Sequence, residues 1–212
     1  MTPISNWHTE IIQGTDEWKA IRLGKVTASI MSDILAEGRG GQPSATRAGA
    51  MASLILARYS GVVEESYYST DMQRGNELET LARTAYEELA QDFVGQVGFI
   101  DHPDIPWYGA SPDGYLGDYG LEIKCPRPST HLATLRGAPI KKDYRDQMDC
   151  QMDCGDFLGV DFVSYCPEFP GKNKIFVKRF MREEKAIQII RAKVKEFNAE
   201  VEEALDFLRK GE

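Results

Sequence analysis

The chain has 212 residues, 42% of them hydrophobic, and a formal net charge of −8. That length suits one domain, 1–212, with a sizeable core. The acidic balance excludes loose nucleic-acid binding over the whole surface, while still permitting a basic channel inside an acidic shell. No apolar run approaches a membrane span and the N-terminus lacks the apolar segment of a signal peptide. The chain is therefore expected to be soluble and intracellular, with no membrane partner. Cys125, Cys150, Cys154 and Cys166 are expected to be reduced thiols, because their spacing suits neither a secreted framework nor a metal site.

In chain order, residues 16–22 read as a short helix closed by Gly24, and a second helix is expected from about Thr27, with Ser29 in its first turn. Glycines between Glu37 and Gln42 mark a loop holding Arg39. Residues 45–59 and 71–91 read as longer helices, the second with Leu78, Leu81, Ala82, Ala85, Tyr86 and Leu89 as its apolar stripe. Strand patterns follow at 94–100, 107–110 and 121–125, then helices at 128–136 and 141–154, then strands at 160–166 and 174–180. A last helix over 182–209 carries Ile187, Ile190, Val194, Phe197, Val201, Ala204 and Leu208. This alternation predicts an α/β (α+β) protein in which a mixed sheet is flanked by helices. No GxGxxG or GxxxxGK[ST] motif is present, and the spacing from Asp113 to Glu122 does not fit an EF-hand.

The chemically informative stretch is Asp113-Gly114 followed by Leu121-Glu122-Ile123-Lys124. Residues two apart on a strand share a face, so Glu122 and Lys124 project together with Ile123 behind them. Gly114, Gly117 and Gly120 provide the turn that returns Asp113 to the same edge. Two carboxylates and an ammonium at one edge are costly unless something binds there, and a divalent cation is the usual occupant. Such a pattern arises by chance in roughly one in twenty chains of this length. The chain holds decoys in Pro103-Asp104 and Glu183-Glu184-Lys185, but neither combines turn glycines with an apolar strand. Basic residues gather at Arg127, Arg136, Lys141, Lys142 and Arg145, and again at Lys172, Lys174, Lys178 and Arg179. Each group is either a solvated face or, beside a metal site, a rim that tracks phosphates.

Five short motifs in order carry a resemblance. They are Leu23-Gly24-x-x-Thr27-Ala28-Ser29 after a Trp-containing helix, Arg74-Gly75-x-x-x-Glu79, Ser111-Pro112-Asp113-Gly114, Leu121-Glu122-Ile123-Lys124-Cys125-Pro126 and Tyr144-x-x-Gln147. Over residues 13–152 this series resembles the phage lambda-type 5′→3′ exonucleases (alkaline exonucleases) of the PD-(D/E)xK nuclease superfamily. The resemblance implies a restriction-endonuclease-like core with a central mixed β-sheet, forming a single nuclease domain over 1–212. It also implies a Mg²⁺-dependent enzyme, with Mn²⁺ substituting, that digests the 5′-ended strand of double-stranded DNA to mononucleotides. A ring-shaped homotrimer, a single-strand annealing partner and the cytoplasm of a bacterial host of phage or prophage origin come with it.

By the same resemblance, Asp113, Glu122 and the backbone carbonyl of Ile123 are metal ligands, hard oxygens of the kind Mg²⁺ prefers. Lys124 orients and helps deprotonate the attacking water, and a neighbouring cation is expected to lower its pKa. Glu79 stands near the metals and Gln147 near the scissile phosphate. Arg22 and Ser29 match residues that hold the 5′-phosphate, a role that a guanidinium, a hydroxyl and a helix N-terminus can fill. On residue type alone, Ser29 could equally cap a helix and Arg22 be a surface charge. Arg39 is placed as a strand guide and Met72 as an apolar wedge at the terminal base pair. Asp101 precedes Asp113 by a slightly longer spacing than the family's acidic residue. Gln151 shares a helix face with Gln147, whereas the family repeats glutamine where this chain has Asp149. The competing readings are a PD-(D/E)xK endonuclease, an iron–sulfur nuclease of the same superfamily, or a DNA-binding adaptor with an inert acid cluster.

Overall fold

The computed structural model describes residues 6–38, 44–62 and 70–211. Strand β1 (Trp7–His8) leads to helix α1 (Asp16–Arg22), which starts where the Thr15 hydroxyl accepts the Trp18 N–H at 3.3 Å. Where a helix was expected near Thr27, the chain instead forms β2 (Val26–Thr27), a 3-10 turn (Ala28–Ile30) and the one-turn helix α2 (Met31–Ile34). Val26 and Thr27 are buried and β-branched, so strand pairing prevails there over helix formation. Helix α3 (Ala45–Ser60) is capped by Ser44 and ends on left-handed Gly61, and α4 (Thr70–Ala90) follows.

Next come β3 (Phe99–Asp101), β4 (Tyr108–Ala110), β5 (Gly114–Leu116) and β6 (Tyr119–Lys124), then α5 (Pro128–Leu135) and α6 (Lys142–Gly155). The chain closes with β7 (Gly159–Tyr165), β8 (Ile175–Met181) and α7 (Glu184–Lys210). The expected strand at 94–100 is shorter than its apolar run, keeping only its end in β3 and an isolated bridge at Gly95.

The expected mixed sheet is divided in two, with orders β1-β3-β4-β2 and β5-β6-β7-β8. In the second, β5 and β6 form an antiparallel hairpin turned at Gly117, whose φ of +57° favours glycine. Strand β6 then pairs in parallel with β7, so the chain must cross over between them, and α5 and α6 make that crossing. Strand β7 is buried along its whole length. Its Asp161 is neutralised by a fork from Arg179 (2.7 and 2.8 Å) and by the Tyr86 hydroxyl (2.6 Å), which locks α4 onto the sheet.

The larger core joins α6 and α7 to Tyr108 and Ala110 of β4, and the smaller packs Ala82, Ala85 and Tyr86 of α4 against Leu121, Ile123 and Val163. Two details of the apolar periodicity differ from expectation. Leu81 and Leu89 are 54% and 61% exposed, because α4 meets the core through Ala82, Ala85 and Tyr86, with Leu78 partly buried beside them. On α7 the buried face ends on Leu205 rather than Leu208, since a four-residue step after Val201 keeps the stripe in phase.

Candidate active site

The hairpin and the crossover helix assemble the acid cluster. The Asp113 N–H donates to the Leu121 carbonyl at 3.0 Å, and the Asp113 carboxylate accepts the Ile123 N–H at 2.6 Å. Asp113 is thereby fixed against the strand that carries Glu122 and Lys124. Ile123 faces the smaller core beneath α4, while Glu122 faces α6, as the two-residue strand period requires. Glu122 is fully buried and ion-pairs with the Lys124 ammonium. It also accepts from the side-chain amides of Gln147 (3.1 Å) and Gln151, one turn apart on α6. Lys124 reaches Gln147 at 3.4 Å and lies over the Tyr144 ring.

Burial and mutual repulsion set the electrostatics. The Asp113 carboxyl is held well above the usual range, first by desolvation and then by the charges of Glu122 and Glu79. Glu79 is also raised, chiefly by desolvation and against the opposing charge of Arg83, its ion-pair partner one turn along α4. For Lys124, burial favours the neutral amine, but Glu122 and Asp113 outweigh it and raise its pKa. Without a cation, the cluster thus keeps Lys124 charged, opposite to the lowering expected beside a metal. Among the described residues, no three acidic, His or Cys side chains converge in ligand geometry. The donor set is nonetheless chemically suited to a hard divalent cation: the carboxylate oxygens of Asp113 and Glu122, the Ile123 carbonyl, and Glu79 beside them.

A second constellation opens onto the same space. Arg22 donates to the Ser111 hydroxyl (3.1 Å) and the Ser29 hydroxyl (3.2 Å), and Ser29 pairs with Thr27 at 3.1 Å. The Arg22 guanidinium lies 4.1 Å from the centre of the Trp18 ring. Among the described residues it has no carboxylate partner, and burial lowers its pKa to about 10. A half-buried guanidinium flanked by two hydroxyls, with no carboxylate partner among those residues, has the chemistry of an anion site. Ser29 sits in a three-residue 3-10 turn rather than at the start of a longer helix, so the site rests on the guanidinium and hydroxyls, not on a helix dipole. A cleft of about 1550 Å³ is lined by Arg22, Ser29, Met72, Glu79 and Asp113.

The structure therefore brings together Asp113, Glu122, Lys124, Glu79, Gln147 and Gln151, and places Arg22, Ser29 and Met72 on the same cleft. Gln151, one turn beyond Gln147, supplies a second amide to Glu122, whereas Asp149 pairs with Arg145. Asp101 is not brought to the cluster. It lies on the other sheet, where Lys25 (2.6 Å) and His8 (3.0 Å) hold its carboxylate. Arg39 lies outside the described residues. Several basic residues of the expected rim are engaged elsewhere: Arg127 with Asp71, Lys142 with Asp146, Arg145 with Asp149 and Arg179 with Asp161. The thiols are divided, with Cys150 and Cys154 in the larger core and Cys125 in the smaller.

Two residues had no role on sequence grounds. The Ser111 hydroxyl accepts from Arg22 and from the Trp18 indole N–H (3.0 Å) and donates to the Gly98 carbonyl at 2.7 Å. It stands two residues before Asp113 and so joins the anion pocket to the acid cluster. Gln13 donates to the carbonyls of Pro112 (2.8 Å) and Val97 (3.1 Å), bracing the same turn. The signal for Ser111 lay in its motif, but its partners are 89 and 93 residues away in sequence.

The model of the YqaJ-like viral recombinase domain matches residues 17–157, which span both the anion pocket and the acid cluster. No curated protein matches the chain. Among solved structures, an alkaline exonuclease (LHK-Exo) from Laribacter hongkongensis is 40% identical, with a TM-score of 0.86 over 93% of this chain and 97% of that one. The same enzyme in complex with dAMP gives 41% identity, with the same TM-score of 0.86 and coverage of 93% and 97%. A phage-related exonuclease from Haemophilus somnus 129PT shares the fold at 15% identity, with a TM-score of 0.67 over 87% of this chain and 96% of that one. With the matched domain covering most of the chain and the site residues inside it, the chain belongs to the YqaJ-like viral recombinase family, among the lambda-type alkaline exonucleases.

Proposed function

We propose that the chain, acting as one nuclease domain over 1–212, is a Mg²⁺-dependent exonuclease in which Mn²⁺ can substitute. It digests the 5′-ended strand of linear double-stranded DNA to mononucleotides and leaves a 3′ single strand for annealing-type recombination. The observation that carries this reading is the shared cleft, which puts an anion pocket at Arg22 and Ser29 beside the acid cluster of Asp113 and Glu79. The dAMP complex of the Laribacter relative supports a mononucleotide product.

A divalent cation at Asp113, Glu122 and the Ile123 carbonyl, with Glu79 near it, would supply Lewis-acid stabilisation of charge on the scissile phosphate. Glu122 and Glu79, which pair with Lys124 and Arg83 in the metal-free protein, would be the carboxylates that hold it with Asp113. Lys124, held by Gln147 and Tyr144, is placed to orient the attacking water and take part in its proton transfer. Gln151 keeps Glu122 aligned from α6. Water attacks phosphorus, the P–O3′ bond breaks, and the 3′-oxygen of the terminal nucleotide leaves with a proton. The shortened strand carries a new 5′-phosphate, the same ligand that Arg22 and Ser29 held before.

A ring-shaped homotrimer, a single-strand annealing partner and action in the cytoplasm of a phage-carrying bacterium complete the proposal. A ring would concentrate basic side chains in a lumen that the acidic monomer lacks over its surface. Among the described residues no helix is long and apolar enough to cross a membrane. The test is strand polarity: linear duplex labelled at one 5′ or one 3′ end is digested in Mg²⁺. Early release of 5′ label as mononucleotide is expected, and early release of 3′ label overturns the assigned direction.

A further inference from the structure

We propose that Arg58 is a positioning residue for the 5′-phosphate pocket, acting through the Gly24 turn; this rests on the reading of Arg22 and Ser29 given above. The two halves of that pocket lie on either side of a tight reversal, α1 with Arg22 before it and β2 with the 3-10 turn carrying Thr27 and Ser29 after it. The Lys25 N–H donates back to the Arg22 carbonyl at 3.0 Å, and Gly24 sits inside this turn with φ of +70°.

Arg58 reaches this turn from α3 and lines a separate, smaller pocket with Trp107, Asn198 and Glu202. Its side chain is only 2% exposed. Nε donates to the Gly24 backbone carbonyl at 2.7 Å, Nη1 to Glu202 at 2.9 Å and Nη2 to the side-chain oxygen Oδ1 of Asn198 at 2.6 Å. The guanidinium also lies 4.5 Å from the centre of the Trp107 ring. A side chain at position 24 would put its Cβ 2.6 Å from Arg58 Cγ, so the close approach needs glycine as well as the fork.

Trp107 itself adopts φ of +57°, a left-handed conformation that a bulky side chain takes only when its surroundings impose it. Its carbonyl accepts the Val26 N–H at 2.8 Å, and Asn198 donates to the Pro106 carbonyl at 3.2 Å. Helix α7, Arg58 and the strained Trp107 together grip the segment that sets the spacing of Arg22 from Ser29. A planar fork with three partners fixes position and orientation, which a lysine in its place would not do.

The test compares initial digestion rates on linear duplexes bearing a 5′-phosphate or a 5′-hydroxyl. Arg58→Met is expected to lower the phosphate-to-hydroxyl ratio of kcat/KM by about 10-fold or more, because small misplacements of a binding group are amplified in rate. The rate on 5′-hydroxyl ends should stay close to wild type, and Arg58→Lys should recover only part of the ratio. Arg22→Met is the reference and must itself collapse the ratio. If it does and Arg58→Met does not, or if Arg58→Met slows both substrates equally, the positioning role is overturned while the phosphate pocket stands. If Arg22→Met leaves the ratio intact, the pocket reading fails and the role of Arg58 falls with it. Should Arg58→Met not fold, Asn198→Ala, which removes one of the acceptors that hold the fork, is expected to lower the ratio in the same direction. An unchanged ratio there overturns the proposal.

Discussion

Replacing Asp113 by Asn is expected to make the metal-free protein more stable while abolishing its activity. Burial and the neighbouring Glu122 and Glu79 hold the Asp113 carboxyl well above the usual aspartate range. The folded state therefore binds this proton more tightly than the unfolded chain, and its stability falls as pH rises through the unfolded pKa toward the folded one. At neutral pH and above, the charged form carries that penalty. An Asn side chain keeps an oxygen to accept the Ile123 N–H and removes the charge. Relief of a functional-site conflict of this kind typically contributes about 1–2 kcal/mol, and for a chain of this size that raises Tm by roughly 2–8 °C. The assay is thermal unfolding at pH 8 in EDTA and again in Mg²⁺. Wild type should gain stability from Mg²⁺, and Asp113→Asn should gain little. If the variant melts at or below wild type in EDTA, the repulsion inferred for this cluster is wrong.

Lys124→Ala should lower hydrolysis by about 100-fold or more yet still bind duplex DNA in Ca²⁺, measured by single-turnover rates and fluorescence anisotropy; near-normal turnover would remove its assigned role. Gln151→Leu leaves Glu122 with one amide instead of two, and a loss of about 10- to 100-fold in Mg²⁺ affinity or activity is expected. Isothermal titration with Mg²⁺ checks this, and unchanged affinity would argue that Gln147 alone aligns Glu122. Asp149, buried beside Arg145, is raised to about 6 chiefly by desolvation. Folding stability at this position is then lost as pH rises from about 4 to about 6. Relative to wild type, Asp149→Asn should become progressively more stabilising as pH rises from about 4 to about 8, read from denaturant melts across that range; a difference that does not vary with pH would contradict the assignment.

The acid–lysine strand was legible in the sequence because a two-residue period dictates which side chains share a face, and Asp113 needed only a short hairpin to join them. Gln147 and Gln151 were legible as a pair one helical turn apart. Asp101 shows where this reasoning stops: spacing along the chain does not say that β3 joins the other sheet, where Lys25 and His8 claim its carboxylate. The link from Arg22 through Ser111 to the acid cluster is long-range, and no local pattern encodes it. Strands β1, β2 and β5 have two or three residues each, too few for a periodic signal. The apolar stripe of helix α4 is narrower than its sequence pattern, because Leu81 and Leu89 face solvent while Leu78, Ala82, Ala85 and Tyr86 make the contact.

The central claim is that the anion pocket and the acid cluster work as one unit that engages a DNA end. Its most direct test is digestion in Mg²⁺ of one plasmid in two forms, linearised with 5′-phosphate ends and covalently closed, with EDTA as control. The account predicts that the linear form is shortened progressively to single strands and mononucleotides, that the closed circle is untouched, and that EDTA stops the reaction. Cleavage of the closed circle would contradict it.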